Sequence, residues 1–331
     1  MSVQEFRYTI CPVSNAGFIA ANRDEFVKQA YEKLGVSPTR LQTLPRDRWH
    51  VHFDYQDDAL FREGGNIPPI WAKSSGAEPV LIGIAFLYVR HYVLVRIDSD
   101  INRIEDLRGK KLGVPSRPGP IVDWYHAAVL RGYGTALNAR GVTPGEVQFI
   151  DLPAGQSHSD FGTVESGALD TGTVDAIFAR FVFAQRLLAS GKYKAVYETS
   201  ADPEYVWPVN NEHPNILTVS RSLAESAPEV VVEWVKQTIR AARWAKTHYP
   251  ETVELFSRQL DGSPGEVIAT LQPGFNYTLE PSLSTKGLIA LESQKRFLFD
   301  HGVISRDFDI ETWKNDYFLN TALQELEAEA G

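Results

Sequence analysis

Cysteine and methionine each occur once in these 331 residues, at Cys11 and Met1. A single cysteine cannot form an internal disulfide, so the fold rests on its packed cores. No apolar run approaches the roughly 20 residues that span a bilayer. Positive charge is in deficit, with 33 Lys and Arg against 42 Asp and Glu, a net charge of −9. Phosphate binding needs a basic face, so a nucleic-acid partner is not expected. The deficit leaves a small anion open as ligand, because one or two local arginines outweigh a distant acidic surface. The opening MSVQEFRYTICPVS has no charged start followed by a long apolar stretch, and no apolar leader precedes Cys11 as a lipid-anchored cysteine would require. The expectation from this is a cytoplasmic protein. Repeats and low-complexity segments are also missing.

What is present suits a globular chain of two lobes: 43% apolar and 23% charged residues over a length too great for one core. Residues 6–13 (FRYTICPV) read as a strand closed by Pro12. A helix over 22–34 follows, capped by Asn22, with Phe26, Ala30 and Leu34 at helical spacing and Gly35 as its stop. WHVHFDY (49–55) alternates as a strand does, and FREGGNIPP, with its Gly-Gly and Pro-Pro pairs, reads as a tight loop. VLIGIAFLY (80–88) is nearly continuous apolar, as in a strand buried on both faces, and HYVLVR (91–96) is another strand. IEDLRGKKLGVP then gives a helical turn, a glycine turn and a strand from Lys111. Strands at 147–152, 174–178, 194–198 and 215–220 alternate with helices near 122–138 and 181–190. A long helix over 228–248 is opened by Pro228 and closed by Pro250, with Val231, Val235, Thr238, Ala242 and Ala245 on one side. Strands alternating with helices mean βαβ units and mostly parallel sheets.

The segments IEDLRGKKLGVP, VDAIFARFVFAQRLLASG and LESQKRFLFDHGVI…FDIETW…YFLNTAL resemble, in this order, the periplasmic binding proteins for sulfonates, nitrate and thiamine precursors. That resemblance implies an α/β fold of two Rossmann-like lobes, of the type II periplasmic binding protein kind, with a ligand cleft between them. It places residues 1–97 and 215–331 in lobe one and 98–214 in lobe two.

Three pieces carry the chemistry: Cys11 at the end of the first strand, His52 in VHFDY and Arg62 in FREGGNIPP. The carboxyl ends of adjacent strands in a doubly wound sheet converge on a crevice, so the three can meet. A thiol acts as nucleophile or proton donor, an imidazole beside it takes or steers the proton, and a guanidinium fork holds an anion by two parallel hydrogen bonds. Taken singly, each has an ordinary explanation. A lone cysteine is commonly a small buried hydrophobe, a strand histidine a satisfied structural residue, and an arginine beside Gly-Gly a solvated charge. His50 and His52 would share a strand face, yet no third ligand follows at metal spacing, so no metal is expected. GVPSRPGP (113–120) precedes a helix, and is either an anion-binding loop at the helix N-terminus or a plain connection. Phe86, Tyr88, Phe181 and Phe183 could line an aryl pocket or pack in a core.

Taken together, YxxCPVxNA, then VHFxY, then RxGGxIPP resembles the sulfinate desulfinases of dibenzothiophene desulfurisation, cytoplasmic relatives of the sulfonate-binding proteins. The resemblance implies a C–S bond hydrolase that releases sulfite from an aryl sulfinate. It makes Cys11, His52 and Arg62 catalytic, needs no cofactor, and turns the Gly65 backbone and Trp124 toward the substrate; Thr9, beside the cysteine motif, and Phe86, Tyr88 and Phe181, from their places near strand ends and a helix start, are the other candidate substrate-binding residues. The implied partner is a small organosulfur anion bound by a monomer, with no membrane. Two positions depart from the pattern: Thr9 replaces a serine, and Asp57 replaces a glutamine, which would put a negative charge near an anion site. The other reading is a solute-binding protein for a sulfonate or similar anion, feeding an ABC-type transporter. A third is a binding or sensor protein in which Arg62 binds and Cys11 is incidental.

Overall fold

In the computed structural model, which describes residues 3–11, 15–154, 162–199 and 209–331, alternating strands and helices build two five-stranded sheets. The chain falls into one unit of Met1–Leu87, Asn211–Gln259 and Gly274–Gly331, and a second of Tyr88–Asn210 and Leu260–Pro273. The first unit opens with β1 (Glu5–Ile10), α1 (Ala16–Ala21), α2 (Val27–Leu34), β2 (Ser37–Arg40), α3 (Val51–Asp54), β3 (Leu60–Gly64), α4 (Ile67–Ser75) and β4 (Pro79–Ala85). The second contains β5 (His91–Arg96), β6 (Lys111–Ser116), α5 (Trp124–Asn138), β7 (Gln148–Pro153), α6 (Thr163–Asp170), β8 (Ala176–Arg180), α7 (Phe181–Ala189) and β9 (Tyr193–Glu198). The chain then returns to the first unit with β10 (Asn215–Ser220), α8 (Arg221–Ser226), α9 (Pro228–Thr247) and α10 (Tyr249–Leu260). α11 (Pro264–Thr270) joins the second unit, and α12 (Thr285–Asp300), α13 (Ile310–Trp313) and α14 (Asp316–Ala330) complete the first.

The sheet orders are β2-β1-β3-β10-β4 and β7-β6-β8-β5-β9. β1 runs parallel to β2 and β3, and β6 parallel to β7 and β8. β10 is antiparallel to β3 and β4, and β5 to β8 and β9. In each sheet the antiparallel strand is the first one laid down after the chain changes unit. β5 therefore belongs to the second sheet, whereas the expected lobe boundary at residue 97 left it in the first. Its apolar run needs neighbours on both edges, and β8 and β9 supply them.

Local chemistry moves three expected elements. The helix expected over 22–34 starts only at Val27, as α2, and a separate helix precedes it: Asn15 caps α1 by accepting the Phe18 N–H at 3.0 Å, and Asn22, expected to open the helix, closes α1 instead, donating from its side chain to the Phe18 carbonyl at 2.8 Å. Gly35, at φ 65°, stops α2 as expected. The WHVHFDY strand is instead the helical turn α3, held by Phe53 N–H to the His50 carbonyl at 2.8 Å and ended by Tyr55 at φ 56°. The FREGG loop is β3, fully buried between β1 and β10, and the Pro-Pro pair sits in the first turn of α4, where missing N–H groups cost nothing. The close of the first strand at Pro12 lies outside the described residues.

The first core forms where α9 covers the sheet. All five expected residues of its inner face are buried, and Trp234 stacks on Phe61 with ring centroids 4.9 Å apart, while Phe6 meets Tyr31 edge-on at 4.8 Å. In the second unit, Gly132 sits mid-helix in α5 because a Cβ there would lie 2.1 Å from the Phe178 ring. Among the described residues no helix is long and apolar enough to cross a membrane. Trp234→Ala should lower the unfolding free energy of the first unit by about 3–5 kcal/mol, seen as an earlier denaturant midpoint.

Candidate functional site

Strand register assembles the site in the first unit. Thr9 on β1 pairs with Arg62 on β3, and Thr218 on β10 pairs with Arg62 from the other side, so the three share one sheet face. Cys11 continues that face one pleat beyond Thr9, its N–H held by the Glu63 carbonyl at 2.9 Å and its carbonyl by Gln259 Nε2 at 3.0 Å. Cys11 Sγ lies over the Cα of Gly64, at φ 155°; a Cβ there would be 2.5 Å from the sulfur.

Arg62 is 1% exposed, which overturns the solvated-charge reading. Its Nη1 donates to the Gly65 carbonyl at 2.8 Å and its Nη2 to Cys11 Sγ at 3.4 Å. Its Nε is buried without a hydrogen-bond partner. Among the described residues no carboxylate forms an ion pair with it. A buried, unneutralised guanidinium beside a part-buried thiol is costly unless an anion completes it.

The described side chains that share this face with Arg62, or hydrogen-bond to those that do, are polar and uncharged. Thr9 Oγ1 accepts from Gln42 Nε2 at 2.6 Å. The Tyr55 hydroxyl meets Thr218 Oγ1 at 2.5 Å, and burial pushes this phenol up to about 12. Gly65 lies against Asn211, whose amide nitrogen would be 2.3 Å from a Cβ there. The Asn211 backbone and side chain also take the N–H groups of Asn66 and Ile67, at 2.7 and 3.1 Å, which pins the glycine turn. The expected negative charge at Asp57 is neutralised elsewhere. Arg7 Nε donates to Asp57 Oδ2 at 2.7 Å, and although burial pushes that carboxyl up, Arg7 and the Ala59 N–H hold it below the ordinary range.

On the opposite face of β3, Glu63 is 3% exposed and reaches the start of α1, where Gly17 leaves it room. Burial pushes its carboxyl from 4.5 up to about 8, opposed by a hydrogen bond from the Gly17 N–H.

The structure brings Cys11, Arg62, Thr9 and Gly65 together. His52 stands on the helical turn α3, so it shares no strand face with His50; its Nδ1 contacts the Trp49 carbonyl and its ring packs on Phe53 at 4.0 Å. Phe86 lies beside His213, ring centroids 5.0 Å apart, with Lys286 Nζ 5.1 Å over its ring. In the second unit Trp124 opens α5 and Phe181 opens α7; the guanidinium of the buried Arg180 lies 5.2 Å from each ring. The Tyr88 carbonyl takes the Gln272 N–H at 3.0 Å, and Phe183 packs over Gly162. The loop read from GVPSRPGP leads to Asp123, which caps α5 and accepts the Arg117 N–H at 2.5 Å. Sequence reasoning missed Glu63, Tyr55, Gln259, Asn211 and Arg180. Glu63 stood in the FREGG motif; Gln259, nearly 250 residues from the cysteine it holds, left no local signal. Among the described residues no three His, Cys, Asp or Glu side chains are grouped to hold a metal.

No family model matches the chain. It is similar to the 2'-hydroxybiphenyl-2-sulfinate desulfinase of Rhodococcus erythropolis, at 26% identity over 353 aligned residues, covering 96% of this chain and 93% of that protein. Its fold matches the crystal structure of a cysteine-to-serine mutant of the desulfurization enzyme DSZB in complex with biphenyl-2-sulfinic acid, with TM-score 0.79, 22% identity, and 98% and 100% of the two chains covered. It also matches the periplasmic aliphatic sulphonate binding protein of Escherichia coli, with TM-score 0.68, 14% identity, and 94% and 92% covered. The fold is thus the two-unit α/β fold of the periplasmic binding proteins.

Glu63 supplies a pH signature. Its carboxyl holds a proton in the folded chain between pH 4.5 and about 8, where the unfolded chain has lost it. Stability from this group is full below pH 4.5 and is lost as pH rises to about 8, a fall of about 1.4 kcal/mol per unit across that window at most. Glu63→Gln should remove this fall, measured by urea unfolding at pH 5, 6.5 and 8.

Proposed function

We propose that the chain is an aryl sulfinate desulfinase, cleaving the bond between an aromatic carbon and sulfur. The carrying observation is the buried Arg62 fork with one nitrogen on the Cys11 sulfur and no carboxylate partner among the described residues. A sulfinate is an anion with two oxygens, matched to a planar fork. It would place its sulfur beside the thiol and complete the charge that the fold leaves open. The full-length similarity to a sulfinate desulfinase supports the same substrate class.

The overall change is Ar–SO2⁻ + H2O → Ar–H + HSO3⁻, a hydrolysis that balances without a redox partner or organic cofactor. Arg62 draws electron density from the sulfinate oxygens. Cys11 protonates the ring carbon that bears sulfur, or attacks the sulfur, and water restores the thiol. His52 orients the thiol proton. The neutral shell of Thr9, Tyr55 and Thr218 keeps Arg62 from being quenched by a protein carboxylate, which strengthens its hold on a substrate anion. Phe86, in the same unit as Cys11 and Arg62, is the aromatic side chain we assign to the aryl group. The reading describes a monomer acting in the cytoplasm on a dissolved organosulfur anion.

Incubation with aryl sulfinates and aryl sulfonates, with sulfite measured, tests the reading: sulfite should appear from sulfinates. Tight binding without sulfite would favour a solute-binding protein. Cys11→Ser should lower turnover by on the order of 10²–10⁴ while sulfinate binding persists. Arg62→Lys should weaken sulfinate binding by about 1.5–3 kcal/mol in titration calorimetry, because a point charge replaces the fork.

A further inference from the structure

The pair that would hold a sulfur oxyanion next to a thiol also favours forming one on the thiol itself. Arg62 is 1% exposed, donates to Cys11 Sγ, and carries a buried Nε with no partner. Cys11 is part-buried, so the residue is partly open to solvent while the guanidinium beside it is not. The chain has no second cysteine. A sulfenic acid formed here therefore cannot be diverted into an internal disulfide, the usual end of the first oxidation step.

We propose that Cys11 is a redox-modification site at which peroxide produces a cysteine sulfinate, retained by Arg62, that occupies the anion position and shuts out substrate. The proposal rests on the reading of Arg62 as the sulfinate holder. In the first step a sulfur electron pair attacks one oxygen of hydrogen peroxide and the O–O bond breaks. The departing hydroxide takes the thiol proton and leaves as water, so the cysteine becomes Cys–SOH. A second peroxide repeats the step, yielding Cys–SO2H and another water. Each step oxidises sulfur by two electrons and reduces one peroxide. Loss of the acidic proton leaves Cys–SO2⁻, with two oxygens for the Nη2 already on the sulfur and the unpartnered Nε beside it on the guanidinium edge. The product carries the same functional group as the proposed substrate, tethered in its place.

The experiment treats the full chain with hydrogen peroxide in thiol-free buffer and follows the mass of the Cys11 peptide, for wild type, Arg62→Gln and Arg62→Lys. Two added oxygens should accumulate on the wild type, faster than on free glutathione at the same pH. Arg62→Gln should slow this by about tenfold, the loss of one charge-assisted hydrogen bond. If that variant does not fold, Arg62→Lys, which keeps charge but not the fork, serves for the same comparison. Wild-type protein carrying the sulfinate should bind benzenesulfinate at least about tenfold more weakly than the reduced protein. Oxidation no faster than that of glutathione, an equal rate in the folded Arg62 variants, or unchanged benzenesulfinate affinity after oxidation would each overturn the proposal. These readouts need no turnover. Absence of sulfite from every aryl sulfinate would remove the desulfinase reading while leaving an Arg62-dependent oxidation standing.

Discussion

A guanidinium buried in the middle of a sheet, with no counter-ion among the described residues, is the constraint on which the rest of this site depends. Arg62 lies on a strand with neighbours on both sides, 1% exposed, and among the described residues its fork is satisfied only by a backbone carbonyl and a sulfur. Burying an unpaired charge costs several kcal/mol, and a fold retains such a charge only if the surrounding structure holds it there. Here the surrounding structure is extensive. Asn211 pins the glycine turn whose carbonyl takes one nitrogen, Gly64 lets the sulfur approach the strand, and Gln259 holds the cysteine carbonyl.

The second constraint is the pleat of β3, which separates two ionisable neighbours. Arg62 and Glu63 are adjacent in sequence, and a simple ion pair between them would neutralise the site. Alternation sends them to opposite faces. Glu63 is left with the Gly17 N–H at the foot of α1, and burial makes it a neutral acid over most of the physiological range. Asp57 is likewise withheld, because Arg7, on β1, binds it. The positive charge at Arg62 is thus preserved by two separate arrangements that keep carboxylates away from it.

The fold around these arrangements is one pattern used twice. Each sheet has a parallel core and one antiparallel strand, introduced where the chain passes from one unit to the other. Sulfonate-binding proteins and a sulfinate desulfinase both stand among the similar chains, so the scaffold by itself does not choose between binding and chemistry. What points toward chemistry rather than binding is the Cys11 sulfur held against the buried Arg62 guanidinium.

Much of this was legible in the sequence. Apolar runs at 80–85, 91–96 and 215–220 and the inner stripe of the 228–247 helix follow from periodicity, because each lies in a core whose pattern repeats at the spacing of its own element. The motifs around Cys11 and Arg62 named two residues that the structure brings into contact. The sequence misled where short segments carry a pattern that two structures can satisfy: WHVHFDY alternates like a strand but closes local turns, and FREGG carries loop residues inside a central strand. Tertiary structure alone decided that Arg62 is buried rather than solvated, that Glu63 faces away from it, that β5 leaves the first sheet, and that Gln259 reaches Cys11. The physical reason is common to all four. Burial, register and desolvation arise from contacts between segments far apart in the chain, and no local spacing of residue types encodes them.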